Sequence, residues 1–423
     1  MKLLKKLTFV AVSSVFAFSA IAETFTFTSS DGAEISIDIK DETIAELVEQ
    51  NKDKIQEAIE ENNITKEQFE EAEPEIKKAV EQFSSENSNS SFSFKDVSDT
   101  VNNTMNSMAD YLFDTLSAGQ VGQHQYAHAY IGQLIPGPHL GIGLFNLGLT
   151  TLNVSPLLNA IDSVSELMSD AQSQTGSESS SSESITDALK ETSVGALLYK
   201  YQKIPLPTIT ADIRLGGIIL PFDVGVTATV LNTDWFGSTI SDAGFNLSYW
   251  SLGGDVRYAL LKDLPLGFTV SATGGFYHTT LKMNLDSETL GGIGAGLDAN
   301  INTVSVGAQA SAKLLIFVPY VGARALFTFG DVDWGINIDW SKMLSSSSSS
   351  TDDAQAAATQ ALIAAFLPSG FSNTVSYGMF ERIRPQIYGG FALDMGPIDL
   401  TFGASYTFVS NVLGAQTSLR VAF

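Results

Sequence analysis

Arginine side chains recur inside apolar segments of the C-terminal two thirds of the chain, at Arg214, Arg257, Arg324, Arg382 and Arg384. A guanidinium group presents a planar fork of N–H donors that matches a carboxylate or a phosphate. The five arginines could therefore line a path for a ligand with an anionic head group.

The same segments also carry Asp212, Asp223, Asp255 and Asp399. Buried charges are tolerated when they are paired, so a network of internal salt bridges is the alternative. The sequence leaves both interpretations open.

The segments that hold these charges alternate with a period of two. In DLTFGASYTF, Leu400, Phe402 and Ala404 share one face, and Asp399 and Thr401 lie on the other. The final segment, LGAQTSLRVAF, alternates in the same way. This pattern is typical of β-strands with one apolar and one polar face, and it places the arginines on the polar face.

A transmembrane barrel explains these strands better than a soluble sandwich, because charges stand at mid-strand on nearly every polar face. Short and long connections also alternate, as periplasmic turns and outer loops do. We predict an all-β barrel of about ten antiparallel strands, with eight to fourteen compatible with the pattern. The strands are expected near 138–150, 206–216, 222–231, 245–260, 266–281, 303–315, 320–330, 376–393, 397–409 and 412–423. Ten strands enclose a narrow lumen, which disfavours a general porin.

Residues 1–22 have the form of a secretory signal peptide, with Lys5 and Lys6 before an apolar run and Ala20-Ile21-Ala22 as the cleavage site. The chain contains no Cys, so disulfides do not stabilise it after export. Its formal net charge of −24 excludes nucleic acid as a partner.

The terminal strand resembles that of Gram-negative-type outer-membrane barrel proteins, which close on alternating apolar residues and a C-terminal Phe. Leu419, Val421 and Phe423 match this insertion signal. The resemblance covers about 137–423. It implies a location in the outer membrane, with the lipids and the barrel-assembly machinery as partners.

Residues 23–118 differ from the barrel region, 119–423, because they contain 23 acidic and seven basic residues. A hairpin turning at Asp31-Gly32 and a set of amphipathic helices are predicted there. Thr65 and Gln68 form a capping box, and Gly119 offers a C-cap. We expect this region to be periplasmic or to plug the barrel.

Two insertions, 153–204 and 341–374, are predicted to be helical outer loops. In the second, Leu362 and Phe366 lie one turn apart in a segment that is apolar on nearly every face. The helices form either a lid or a groove for a hydrophobic ligand. Trp235, Trp250, Trp334 and Trp340 fall near outer strand ends, as an interfacial belt would.

Helical outer loops and an N-terminal plug make the architecture similar to the FadL fatty-acid transporter family, although ten strands fall short of that family's fourteen. The resemblance implies transport of hydrophobic small molecules such as long-chain fatty acids. A structural or adhesive surface barrel with a filled lumen is the alternative.

Catalytic motifs are absent from the sequence: it has no G-x-S-x-G, no H-E-x-x-H and no P-loop. We therefore expect no enzyme activity and no cofactor. His124 and His128 are spaced i,i+4, but without a third ligand nearby they predict no metal site.

Deletion of Phe423 is expected to impair insertion and leave protease-sensitive chain in the periplasm, because the terminal residue completes the insertion signal. Heat-modifiable migration of outer-membrane fractions on gels measures the folded barrel. A normal folded band from the truncated chain would show that Phe423 carries no such signal.

Overall fold

A computed structural model of the chain describes most of the residues after residue 22. These are residues 23–39, 42–84, 94–122, 125–131, 139–174, 190, 196, 199–200, 202–217, 221–232, 245–285, 293–339, 365 and 370–422. They fall into two compact units. The first lies within 1–94 and 344–368, and the second lies within 95–343 and 369–423. Residue 118, where the sequence analysis places a boundary, lies within the second unit, and the predicted domain organisation stays a prediction.

The described part of residues 1–94 contains two strands and two helices. They run in the order β1 Glu23–Thr28, β2 Glu34–Ile39, α1 Glu42–Glu61 and α2 Lys66–Ser84. The hairpin turns at Gly32, whose φ of 78° suits glycine. The Ser29 hydroxyl donates to the Asp31 carboxylate, and this hydrogen bond lowers the pKa of Asp31.

The hairpin presents one apolar face to the two helices. Phe25 pairs with Ile37 and Phe27 with Ile35, and all four side chains are buried with Ile55 of α1. The predicted capping box is confirmed at the start of α2. The Thr65 backbone N–H donates to Gln68 Oε1 at 3.0 Å, and the Gln68 N–H donates to Thr65 Oγ1 at 3.4 Å.

Among the residues that the structure describes, the second unit has two α-helices with defined bounds and eleven strands. The helices are α3 Phe94–Gly122 and α4 Ser155–Gln174. The strands are β3 His139–Asn153, β4 Lys203–Gly216, β5 Phe222–Asn232, β6 Phe245–Leu264, β7 Phe268–Leu285, β8 Ile293–Ser311, β9 Phe317–Ile338, β10 Gly370–Tyr377, β11 Ile383–Asp394, β12 Ile398–Thr407 and β13 Val412–Ala422.

The strands close into an antiparallel barrel, because β13 pairs with β3 and β8 pairs with β9. β10 and β11 lie end to end along β9. Gly370–Tyr377 pairs with one half of β9, and Ile383–Leu393 pairs with the other. They therefore act as one interrupted strand. The ring has ten positions, and the predicted fold class is confirmed.

The connections differ between the two ends of the barrel. At one end, which we call the turn end, the strands are joined through 217–221, 265–267, 312–316 and 395–397. At the other, the loop end, the connections include the two insertions, now bounded at 154–202 and 339–369. The predicted long connections are found at the loop end in the two insertions, but β12 and β13 are joined at the same end by only residues 408–411.

Near the turn end, the outward face of the barrel is apolar and the inward face is polar. On β6 the outward side chains Trp250, Leu252, Val256, Tyr258 and Leu260 are all substantially exposed. They span about 11 residues, the length that a tilted strand needs to cross a bilayer. This apolar belt marks the membrane-facing surface. No helix among the described residues is long and apolar enough to span a bilayer.

Near the loop end of β7, β8 and β9 the polarity is reversed. The outward positions there include Asn284, Asp298, Asn300, Asp331 and Asp333. The inward positions are buried and apolar, and they are Leu281, Met283, Leu297, Ala299, Val332, Trp334 and Ile336. This part of the wall is arranged as in a soluble barrel, so it extends beyond the belt into water.

The reversal explains why some predicted strand ends were wrong. β8 begins at Ile293 rather than near 303, and β9 continues to Ile338 rather than stopping near 330. The alternation continues, but its apolar face changes sides. Trp334 is correspondingly buried inside the wall and not part of an interfacial belt.

Replacing Val306 with Arg should destabilise the barrel by about 2–4 kcal/mol, because Val306 is 55% exposed on the outward face within the belt. Asn300→Arg is the matched control, on the same face of β8 but beyond the belt, and should have little effect. Urea unfolding from lipid vesicles measures both. Equal losses would contradict the assignment of the belt.

Candidate functional site

Helix α3 lies inside the barrel, where a ladder of hydrogen bonds and ion pairs joins it to β9, β10 and β11. Asn106, Asp110, Asp114 and Ala118 follow one another at intervals of four, which places them on one face of a helix. The contacts begin near the loop end. Asn106 Oδ1 accepts from Trp334 Nε1 and from Asn373 Nδ2, each at 3.2 Å.

Further down the ladder, the partners are charged or polar groups of the wall. Arg382 Nη2 lies 2.7 Å from Asp110 Oδ1, and Arg384 donates to Asp114. Gln386 Nε2 donates to the Ala118 carbonyl at 3.1 Å. These contacts were not predicted from the sequence. Their signal is the i,i+4 spacing of Asn106, Asp110 and Asp114 beside an apolar stripe.

The other faces of α3 fill the barrel with apolar groups. Val101, Met105, Met108 and Leu112 are fully buried. Gly119 lies against the wall: a Cβ there would approach Thr150 Cγ2 to 2.8 Å. The expectation that Gly119 caps the helix was wrong, since α3 continues to Gly122. Because Gly119 has no side chain, α3 can approach Thr150 of the wall closely.

Residues 125–131 continue the chain through the polar part of the lumen. The Gln125 backbone N–H donates to Gln416 Oε1 at 3.0 Å, and Tyr320 donates to Gln125 Oε1 at 3.0 Å. The ring of Tyr126 lies beneath three guanidinium groups, at 3.9 Å from Arg420, 4.8 Å from Arg214 and 5.4 Å from Arg257. Such contacts are favourable when desolvated.

Asp223 is fully buried at the centre of the charged network. It accepts hydrogen bonds from Arg214, from Arg257 at 2.8 Å and from the Ile131 backbone N–H at 2.9 Å. Arg214 also donates to both carboxylate oxygens of Asp255 at 2.5 and 2.6 Å. Arg257 Nη1 donates to the His128 carbonyl at 2.5 Å.

The five arginines predicted as ligand contacts thus all have partners within the chain. For Arg214, Arg257, Arg382 and Arg384 these partners are acidic side chains. Arg324 donates to Gln386 Oε1 at 2.6 Å and lies 4.4 Å from the Tyr388 ring centroid. Their role toward a ligand stays a prediction.

Several other predicted residues are less informative. Leu362, Phe366 and Phe423 lie outside the described residues. Leu419 and Val421 are on β13, where Leu419 is on the outward face. They are therefore in the expected orientation, and their role in insertion stays a prediction.

A candidate metal-ligating cluster lies near the turn end, where ligand atoms of His128, Asp394 and Asp399 come within 4.8 Å of one another. However, the Lys313 ammonium group lies 2.5 Å from Asp394 Oδ2. This contact neutralises a carboxylate that a cation would need. The cluster is better described as part of the internal ion pairing.

No protein-family model and no curated protein sequence matches the chain. Among solved structures, it is similar to the translocator domain of the autotransporter NalP from Neisseria meningitidis. The two are 9% identical, with a TM-score of 0.29, over 69% of this chain and 90% of that one.

The transport unit of the autotransporter AIDA-I from Escherichia coli matches with 10% identity and a TM-score of 0.25, over 74% of this chain and 96% of that one. A TodX deltaS2S3 mutant monoaromatic hydrocarbon channel matches with 10% identity and a TM-score of 0.23, over 68% and 90%. Similarity at this level establishes no common function.

Asp223→Ala should destabilise the barrel by about 3–5 kcal/mol, because it leaves Arg214 and Arg257 short of a buried counter-charge. Asp298→Ala is the control. It removes an exposed pair in which Asp298 lies 2.8 Å from the Lys282 ammonium group, and should cost less than about 1 kcal/mol. Urea unfolding from vesicles distinguishes them, and similar losses would contradict a central role for Asp223.

Proposed function

We propose that this chain is an outer-membrane β-barrel closed by its own helix α3, and that it anchors the N-terminal unit in the membrane. This corresponds to the structural or adhesive surface barrel with a filled lumen. In this role the barrel holds a folded domain at the membrane and does not conduct solutes.

The observation that carries the proposal is the burial of charged lumen side chains. Arg384 and Arg420 are 1% exposed, and Asp223 is 0% exposed. An open channel would leave such groups in contact with water. Here α3 and 125–131 cover them and provide hydrogen-bond partners. The first unit, with its own apolar core, is the part that such an anchor would hold.

The proposal predicts that the purified full-length chain in liposomes takes up no more labelled long-chain fatty acid than empty liposomes, because its lumen is occupied. A transporter of the FadL family, reconstituted in the same way, is the positive control. Planar bilayers should likewise show no steady ion conductance. Uptake or conductance by the folded wild-type barrel would contradict the proposal.

Transport of hydrophobic small molecules such as long-chain fatty acids is the second candidate. The observation in its favour is that Arg384 Nη1 and Nη2, and Arg324 Nη2, are buried without a hydrogen-bond partner among the described residues. These donors could receive a carboxylate, and the apolar interior near the loop end could receive its chain.

If transport occurs, Leu362→Asp combined with Phe366→Asp should abolish fatty-acid uptake while the barrel still folds, because neither position belongs to a described strand. The matched variant Asn300→Arg changes the outer wall and should leave uptake unaffected. Unchanged uptake in the double variant would exclude these two residues from a ligand path.

A further inference from the structure

The contacts of α3 have a definite order along the barrel axis. Asn106 meets Trp334 and Asn373 near the loop end, and Ala118 meets Gln386 deeper in the lumen. Later residues continue in the same direction. The Ile131 N–H donates to Asp223, which is the second residue of β5 and follows directly on a connection at the turn end.

The helix therefore runs from the loop end toward the turn end, with its N-terminus at the loop end. The turn-end position of His139, where β3 begins, agrees with this direction. The helix thus enters the lumen at the loop end, where it begins at Phe94.

A second observation points to the same side independently. The first unit includes residues of 344–368, which belong to the connection between β9 and β10 at the loop end. Ala365 of that connection packs against the apolar core formed by β1, β2, α1 and α2. A connection at the loop end can contribute to this core only if the core is on the same side of the membrane.

In outer-membrane barrels the short turns face the periplasm and the long loops face outward. We propose that residues 23–84 form a folded domain on the external face of the outer membrane, with α3 as its tether through the barrel. This inference rests on the anchoring function proposed above and assigns its side. It replaces the expectation of a periplasmic region or plug: α3 fills the lumen, and the preceding domain is exported.

The experiment uses single cysteines in the full-length chain, which contains none of its own. Asp53→Cys places a thiol on an exposed position of α1. Val409→Cys, 70% exposed between β12 and β13, reports on the loop end, and Leu315→Cys, 90% exposed, reports on the turn end. Intact cells are treated with a membrane-impermeant maleimide before and after permeabilisation of the outer membrane.

The proposal predicts that Asp53→Cys is labelled on intact cells to the same extent as Val409→Cys, while Leu315→Cys is labelled only after permeabilisation. If Asp53→Cys, like Leu315→Cys, is labelled only after permeabilisation, the direction assigned to α3 is wrong. Labelling of Leu315→Cys alone on intact cells would overturn the outward orientation of the loop end. Heat-modifiable migration confirms folding of each variant. The uptake assay tests closure separately, so failure of one proposal is distinguishable from failure of the other.

Discussion

The structure depends on one constraint: charges inside a closed barrel must find partners inside it. A membrane-spanning sheet has to close so that no backbone group is left unpaired in lipid. Ten strands leave an interior too narrow for bulk water yet too wide for the wall side chains alone to fill. Asp223 shows how the constraint is met, since it is bonded to two arginines of the wall and to the Ile131 N–H of the enclosed chain.

Strands β7, β8 and β9 extend from the lipid of the membrane into water. They are stable in both because the polarity of their two faces reverses along their length. Val306 and Asn300 lie on the same face of β8, the first within the belt and the second beyond it. The interior changes accordingly, from the arginine and aspartate network to an apolar core around Trp334. Helix α3 carries groups suited to both parts of the interior. It has an apolar stripe and a ladder of polar residues.

Much of the barrel could be predicted from the sequence, because a period of two separates the apolar face of a strand from its polar face. Leu400, Phe402 and the arginines were assigned to the correct faces, and the strand number was correct. The outer halves of β8 and β9 were missed because Asp331 and Asp333 occupy the face that had been apolar. Alternation alone does not indicate which solvent a face meets.

The position of α3 could not be predicted for a related physical reason. Asn106, Asp110 and Asp114 form a polar stripe that looks like a solvated helix face, and only the closed wall brings Arg382 and Arg384 opposite to it. Pairing between distant segments also decided the role of Asp223, whose partners come from three parts of the chain.

The most direct test of the account is whether α3 occupies the lumen in the register described. The Asn106 and Asn373 side chains are 3.2 Å apart, so Asn106→Cys with Asn373→Cys should form a disulfide in the outer membrane of growing cells. Asn106→Cys with Gln416→Cys should not, since Gln416 bonds to Gln125, far along the lumen. Faster migration of the denatured, non-reduced chain reports the crosslink. Efficient crosslinking of the first pair alone is predicted; crosslinking of neither pair, or of both equally, would contradict the account.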